Sequence, residues 1–144
     1  MLRVLVPFDG SDCAMRAVKH AIDFAKDHAA IEVHLLNVQE PIAMKEVVFR
    51  DRLSDLRELE LQRAQAGNLL LEPACVLLRD AGVPCGAHVS VGEPAPAIAE
   101  HARKYHCGLI VMGTRGMGLV ANLFLGSVAT KVIHLVAVPV TLVK

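Results

Sequence analysis

Residues 107–132, CGLIVMGTRGMGLVANLFLGSVATKV, decide the fold. The first seven, CGLIVMG, are a continuous apolar run of strand length, as expected of a central strand in a parallel sheet covered on both faces. A helix follows from Ser127 to about Leu135. Four glycines (Gly113, Gly116, Gly118 and Gly126) crowd the connection. Either they are ordinary turn residues, or the backbone there comes close to a ligand.

Strands and helices alternate outward from this stretch. Towards the N-terminus, CGAHVSV (85–91) reads as a strand, and Gly92-Glu93-Pro94 leads into a helix to about Lys104, with proline near its first turn. From about Leu53 to Ala81 the chain is rich in the good helix formers Leu, Glu, Arg, Gln and Ala. Gly67 interrupts that helix, Pro73 is expected to kink or split it, and Gly82 caps it. Residues 41–52 form a connecting segment. EVHLLNV (32–38) is a strand ended by Pro41. From Asp12 to His28, Met15, Val18, Ala21, Ile22 and Ala25 recur at spacings of three and four, an amphipathic helix with Ser11 as N-cap. RVLVPF (3–8) is a short buried strand closed by Asp9-Gly10-Ser11, and VPVTLV (138–143) is the last strand. The order β-α-β-α-β-α-β-α-β predicts an α/β fold: one five-stranded parallel sheet with helices on both faces and right-handed crossovers. Ligands of such open sheets bind outside the C-terminal strand ends, here the loops after residues 8, 38 and 112.

The length of 144 residues fits one domain, 1–144, with a sizeable core. Hydrophobic residues make up 53% and aromatics 3%, so the core is aliphatic. Lys plus Arg equals Asp plus Glu at 15 each, which leaves no basic field for nucleic acid and no polybasic tail for a membrane surface. Neutrality with a hydrophobic surplus suggests apolar surface covered by a second subunit. The run Val4 to Val6 before Pro7 is too short for a signal peptide, and no run approaches a membrane span. Cys13, Cys75, Cys85 and Cys107 lack C-x-x-C spacing and read as reduced thiols of a cytosolic protein.

The glycine loop matches neither G-x-x-x-x-G-K-[ST] nor G-x-G-x-x-G. What remains is Gly113-x-x-Gly116, nine residues, then Gly126-Ser127. Gly113 leaves a buried strand, and Gly126-Ser127 stands where unpaired N–H groups and the positive end of a helix dipole face outward, a setting suited to phosphate. Ser127 could cap that helix or donate to a phosphate, and Arg115 is the loop's full positive charge. A connector with glycine turns and Ser127 as N-cap fits the same spacing.

With that motif in view, the sequence resembles the universal stress protein family. Its nucleotide-binding members carry G-x-x-G, nine residues, then G-[ST], and Gly113, Gly116, Gly126 and Ser127 fall on it without a gap. VLVPFDGS resembles the family's opening, VGEPAPAIAEHA its third strand-to-helix junction, and PVTLVK its last strand. The resemblance implies a Rossmann-like, adenine nucleotide alpha hydrolase-like domain that dimerises and binds ATP across the strand ends. Carried over, Asp9 faces the adenine, Pro7 shapes the wall beside it, and Val38 meets it through its backbone. Gly113, Arg115 and Gly116 lie along the ribose and phosphates with Met112 alongside, while Gly126, Ser127 and Val128 hold the terminal phosphates. Met117, Leu119 and Val120 depart from the more polar residues of many relatives, which bears on affinity. Val140 and Leu142 would form part of a dimer seam of paired edge strands.

Other chemistries find less support. The seven histidines show no paired metal spacing, Ser11 and Ser127 lack a G-x-S-x-G elbow, and H-x-G-H is absent. Asp9 also fits a plain turn or cap after a strand. DRLSDLRELELQR reads as a solvated helix face. The expectation is a cytoplasmic stress-response protein that binds ATP, or alternatively AMP or ADP, with Mg²⁺. It would act as a nucleotide-dependent switch or binding module for an unidentified protein partner, with the loop 114–125 shifting between states. No general base stands out, so hydrolysis is expected to be slow at most. A nucleotide-independent chaperone-like or structural dimer, and a slow ATPase, are the alternatives.

Overall fold

Val4, Leu5 and Val6 are all fully buried. Successive strand side chains point to opposite faces, so three consecutive buried residues require a sheet covered on both sides. The computed structural model shows that sheet; it describes residues 1–28, 30–41, 53–115 and 125–144. The elements are β1 (Leu2–Pro7), α1 (Asp12–Asp27), β2 (Ile31–Gln39), α2 (Leu53–Asp80), β3 (Cys85–Val91), α3 (Pro94–Lys104), β4 (Leu109–Gly113), α4 (Ser127–Leu135) and β5 (Val140–Val143). All pairings are parallel, in the order β3-β2-β1-β4-β5.

The two faces carry separate cores. Val4, Val6, Val33, Leu35 and Val111 pack with the buried faces of α1 and α2, such as Val18, Ala21, Leu71 and Leu78. Leu5, Leu36, Ile110 and Met112 pack with Ala95, Ile98 and Ala102 of α3 and Ala129 and Val132 of α4. The alternation along β1 thus assigns one pair of helices to each face, and the predicted fold class is what the chain adopts.

Three local expectations change. Pro73 lies inside α2 without ending it. Its missing N–H leaves the carbonyl four residues earlier without a helical partner; that residue, Leu69, is 75% exposed, so water can take the place of the lost donor. Gly67 is no interruption either. A Cβ there would stand 2.7 and 2.8 Å from the two Val89 methyls and 3.1 Å from Asn37 Oδ1, so glycine lets α2 lie close on β2 and β3. The last strand begins at Val140 instead of 138. Pro139 has no N–H for the ladder, and only its carbonyl joins the sheet, accepting from Ile110 N–H at 3.0 Å. The expected connection 41–52 lies, from residue 42 onward, outside the described residues, as do Gly116, Met117, Gly118, Leu119 and Val120.

Two helices end in the same motif with different residues. At the end of α2, Gly82 takes φ +71° while its N–H donates to Arg79 and that of Val83 to Leu78. At the end of α3, His106 takes φ +52°, its N–H donating to Arg103 and that of Cys107 to Ala102. Both are Schellman closures, for which glycine is the usual left-handed residue; histidine there is strained. His106→Gly is therefore expected to stabilise the fold by about 0.5–1 kcal/mol, read as a higher urea midpoint. A lower midpoint would mean that the His106 side chain contributes more than its backbone costs.

Candidate functional site at the strand ends

From β1 the chain winds outward through β2 to β3, then returns to the other side of β1 as β4 and continues to β5. The reversal leaves a crevice beyond the C-terminal ends of β1 and β4, because the crossovers leaving these neighbours diverge to opposite faces. An open cleft of about 300 Å³ lies there, near the lower end of small-molecule sites. Nine of the ten residues singled out from the sequence line it. Pro7 and Asp9 come from β1 and its exit, Val38 from β2, Met112, Gly113 and Arg115 from β4 and its exit, and Gly126, Ser127 and Val128 from the start of α4. Gly116, the tenth, lies outside the described residues.

One end of the cleft is suited to an anion. Gly126 is the N-cap of α4 and makes no side-chain cap, and no acidic residue occupies the first turn. The first intrahelical bond is Thr130 N–H to Gly126 carbonyl at 3.1 Å. The N–H groups of Ser127, Val128 and Ala129 therefore precede the ladder, and all three residues border the cleft. By contrast α1 is satisfied by its own sequence: Ser11 Oγ accepts from Ala14 N–H at 3.1 Å, and Asp12 sits in its first turn. Ser127 is thus the first helical residue of α4 and not its cap, which frees its hydroxyl. The Gly126 N–H is already committed to Thr114 carbonyl at 2.6 Å. Arg115 is exposed and pairs with no carboxylate among the described residues.

The other end is apolar, with Pro7, Leu36, Val38, Pro94, Ile98 and Met112. Sequence reasoning missed Leu36, Pro94, Ile98 and Thr114 as lining residues. Leu36 shares a strand face with Val38, and Pro94 and Ile98 are one helical turn apart, so periodicity could have found them. It also missed Asn37, a buried polar residue in an apolar strand, whose Nδ2 donates to Phe8 carbonyl at 2.9 Å. Gln39 donates to Asn37 Oδ1 in turn. This chain fixes the end of β1 between Pro7 and Asp9. Asp9 realises its simple reading, since Oδ1 accepts from Ser11 N–H at 2.9 Å. Its other oxygen accepts no hydrogen bond among the described residues, and the residue still borders the cleft.

Gly113 gains a reason independent of any ligand. A Cβ there would stand 2.8 Å from Cys13 Sγ and 3.1 Å from the Cys13 backbone carbon, so the start of α1 packs directly on the end of β4. Cys13 Sγ donates to Val143 carbonyl at 3.2 Å, which draws β5 into the same contact. Burial pushes the Cys13 thiol up, but the Arg115 N–H, the Thr114 hydroxyl and N–H, and the Arg16 charge together bring it below the ordinary thiol value. Burial raises Cys107 and, with its neighbours Cys85 and Glu72, Cys75; all four cysteines are free.

Fold and site together define an open α/β protein with a crevice at its topological switch point, apolar at one end and lined by leading helix N–H groups at the other. The chain belongs to the universal stress protein family, whose sequence profile matches residues 1–144. A universal stress protein of Thermus aquaticus is 37% identical over 145 residues, covering 98% of this chain and 97% of its own. The structure of hypothetical protein MJ0577 superposes with a TM-score of 0.86 at 29% identity, covering 99% and 95%. Two more distant structures share the fold: a universal stress protein in complex with cAMP, and a family member from Arabidopsis thaliana with AMP bound. They have TM-scores of 0.68 and 0.71, at 24% and 21% identity, covering 99% and 100% of this chain and 96% and 92% of their own. No described helix is long and apolar enough to cross a membrane.

The Gly113 contact makes a prediction separate from ligand binding. Gly113→Ala should lower stability by about 1–3 kcal/mol, because both Cys13 and the backbone behind it must move. Urea unfolding of the ligand-free protein checks this, and an unchanged midpoint would return Gly113 to a purely ligand-directed role.

Proposed function

We propose that this protein binds an adenine nucleotide in the strand-end cleft, ATP first with AMP or ADP as alternatives, and serves as a nucleotide-dependent switch or binding module in the stress response. The observation that carries the reading is the uncapped, acid-free start of α4 opening on the cleft. Phosphate oxygens can accept from the Ser127, Val128 and Ala129 N–H groups and from the Ser127 hydroxyl, with Arg115 as counter-charge. The apolar end suits the adenine: Val38 supplies backbone polar groups beside it, and Pro7, Ile98 and Met112 supply walls. The nucleotides named for the two distant relatives support the ligand class.

The residues present fit such a ligand better than a protein-held metal. Among the described residues no three metal-ligating side chains converge, so Mg²⁺ would arrive on the phosphates with its own waters. Asp9 is the one carboxylate among the cleft's lining residues, and its Oδ1 already serves the turn. We therefore read the site as a binder with slow hydrolysis at most, placed in the cytoplasm and read by a protein partner or by the dimer. The nucleotide-free dimer keeps one supporting observation, the packing role of Gly113.

Titration with ATP and Mg²⁺ tests the reading. Binding heat and a thermal shift are expected, and neither at millimolar ligand would end it. Gly126→Val should weaken binding at least ~10-fold while preserving the fold, since its φ of −67° and ψ of 161° are open to valine. Unchanged affinity would count against the phosphate's placement. The proposed dimer uses β5, the edge strand beyond β4, with Val140 and Leu142 half-buried. Val140→Lys should convert a dimer to a monomer in light scattering; a wild-type monomer at micromolar concentration would rule out that seam.

A further inference from the structure

Three histidines with no metal spacing in the sequence meet under the C-terminal end of α3. His34 Nδ1 and His88 Nε2 are 3.0 Å apart, and their ring planes differ by 9°. The ring centroids are 5.3 Å apart, the nitrogen separation plus the two ring radii, so the rings lie edge to edge nearly in one plane. That is the geometry of one shared proton; lone pairs that hold a metal must converge on a third point instead. His34 Nε2 lies 3.6 Å from Glu32 Oε2. The carboxylate favours the tautomer with a proton on that nitrogen, leaving Nδ1 to accept from His88 Nε2–H. His101 completes the group, 5.0 Å from His88 and 4.6 Å from Tyr105, and His88 lies 4.4 Å from Tyr105. His34 is 6% exposed, and both His34 Nε2 and His101 Nε2 are buried without a hydrogen-bond partner.

We propose that His34, His88, His101 and Tyr105 form an acid-sensitive latch that fastens the end of α3 to strands β2 and β3, and that protonation releases that end. Every charged group facing the cluster enters the balance. From β1, Arg3 pairs with Glu32 of β2 at 3.3 Å and donates to Tyr105 carbonyl at 3.2 Å, a tie that does not titrate. From α3 itself, Lys104 opposes a further positive charge and Glu100 favours it. Burial, with His34 and Lys104, holds His88 below the ordinary imidazole value against the pull of Glu32. Burial, with His88, Lys104 and His34, pushes His101 down to about 4. In the closed latch His88 and His101 therefore resist a proton that an opened helix end accepts at the ordinary value. Above that ordinary value neither form is protonated and the latch keeps its full strength. As pH falls from about 6.5 towards 4 the open form binds protons first, so its population grows, by roughly 30-fold at pH 5 from His101 alone. Release also frees the strained left-handed backbone of His106, which stands two residues beyond Lys104.

The amides of Tyr105, His106 and Cys107 report the latch directly, since they donate to the carbonyls of His101, Arg103 and Ala102. Hydrogen exchange of the full chain at pH 7.5 and 5.0, corrected for intrinsic rates, should show their protection falling roughly 30-fold while that of α1 changes less than about threefold. In His101→Phe, which keeps an aromatic ring but no titrating nitrogen, the fall should shrink below about fivefold. His88→Gln keeps an N–H for His34 and should also reduce the fall, and it carries the test alone if the first variant does not fold. Unchanged protection at 105–107, equal loss in α1, or a full pH response in the variants would overturn the proposal.

Discussion

The cleft exists because β1 is the strand from which the chain departs in both directions. Parallel pairing on each side of it obliges the connections to cross over opposite faces. Val4 and Val6 can then be buried under one pair of helices while Leu5 is buried under the other. The same reversal parts the loops after β1 and β4 and leaves room between them. A sheet wound in one direction only would bury these residues equally well and have no crevice there. The ligand-sized opening is therefore a property of strand order before it is a property of any side chain.

Strand order alone does not make the crevice selective, and the glycines show how two demands share one loop. Gly113 is fixed by the approach of α1, as Gly67 is by the approach of α2 to Val89 and Asn37. Both are places where a helix lies so near the sheet that a Cβ has no room. Gly126 is different. Its backbone angles suit any residue, and its N–H is spent on Thr114. On the proposed reading, the absence of a side chain there would keep the approach to the following N–H groups clear. Of the three motif glycines, Gly113 thus has a packing reason of its own, Gly126 has no backbone need for glycine, and Gly116 lies outside the described residues.

The fold was legible because its signals are periodic and local. The apolar run CGLIVMG contains the strand Leu109–Gly113, buried at its centre, and Met15, Val18, Ala21 and Ile22 mark one helix face. The cleft was legible at its rim because strand ends and a helix start sit at predictable places. Three features arise only in the folded chain. Pro73 was expected to kink or split α2, but only the structure shows Leu69 exposed, where water can take the place of the lost donor. Asn37 was not singled out from the sequence, because its bond to Phe8 joins residues 29 apart. His34, His88 and His101 belong to β2, β3 and α3, so no spacing within one element could announce their meeting.

If the cleft takes a phosphate as proposed, the start of α4 would supply only part of the affinity. A helix dipole near the surface contributes about 0.3–1 kcal/mol to a neighbouring negative charge, and each hydrogen bond to a charged group about 1.5–3 kcal/mol. Three leading N–H groups and the Ser127 hydroxyl therefore supply several kcal/mol against a triphosphate that also gives up its hydration. A net of about 4–8 kcal/mol corresponds to millimolar to micromolar dissociation. The phosphate end alone falls towards the weak limit of that range, because Arg115 is exposed and its pairing is screened by water and salt. Affinity beyond it has to come from the apolar end, where the adenine would displace water from Pro7, Val38, Ile98 and Met112. On the proposed reading, base recognition, more than phosphate count, would be the step that separates an adenine nucleotide from other phosphorylated metabolites.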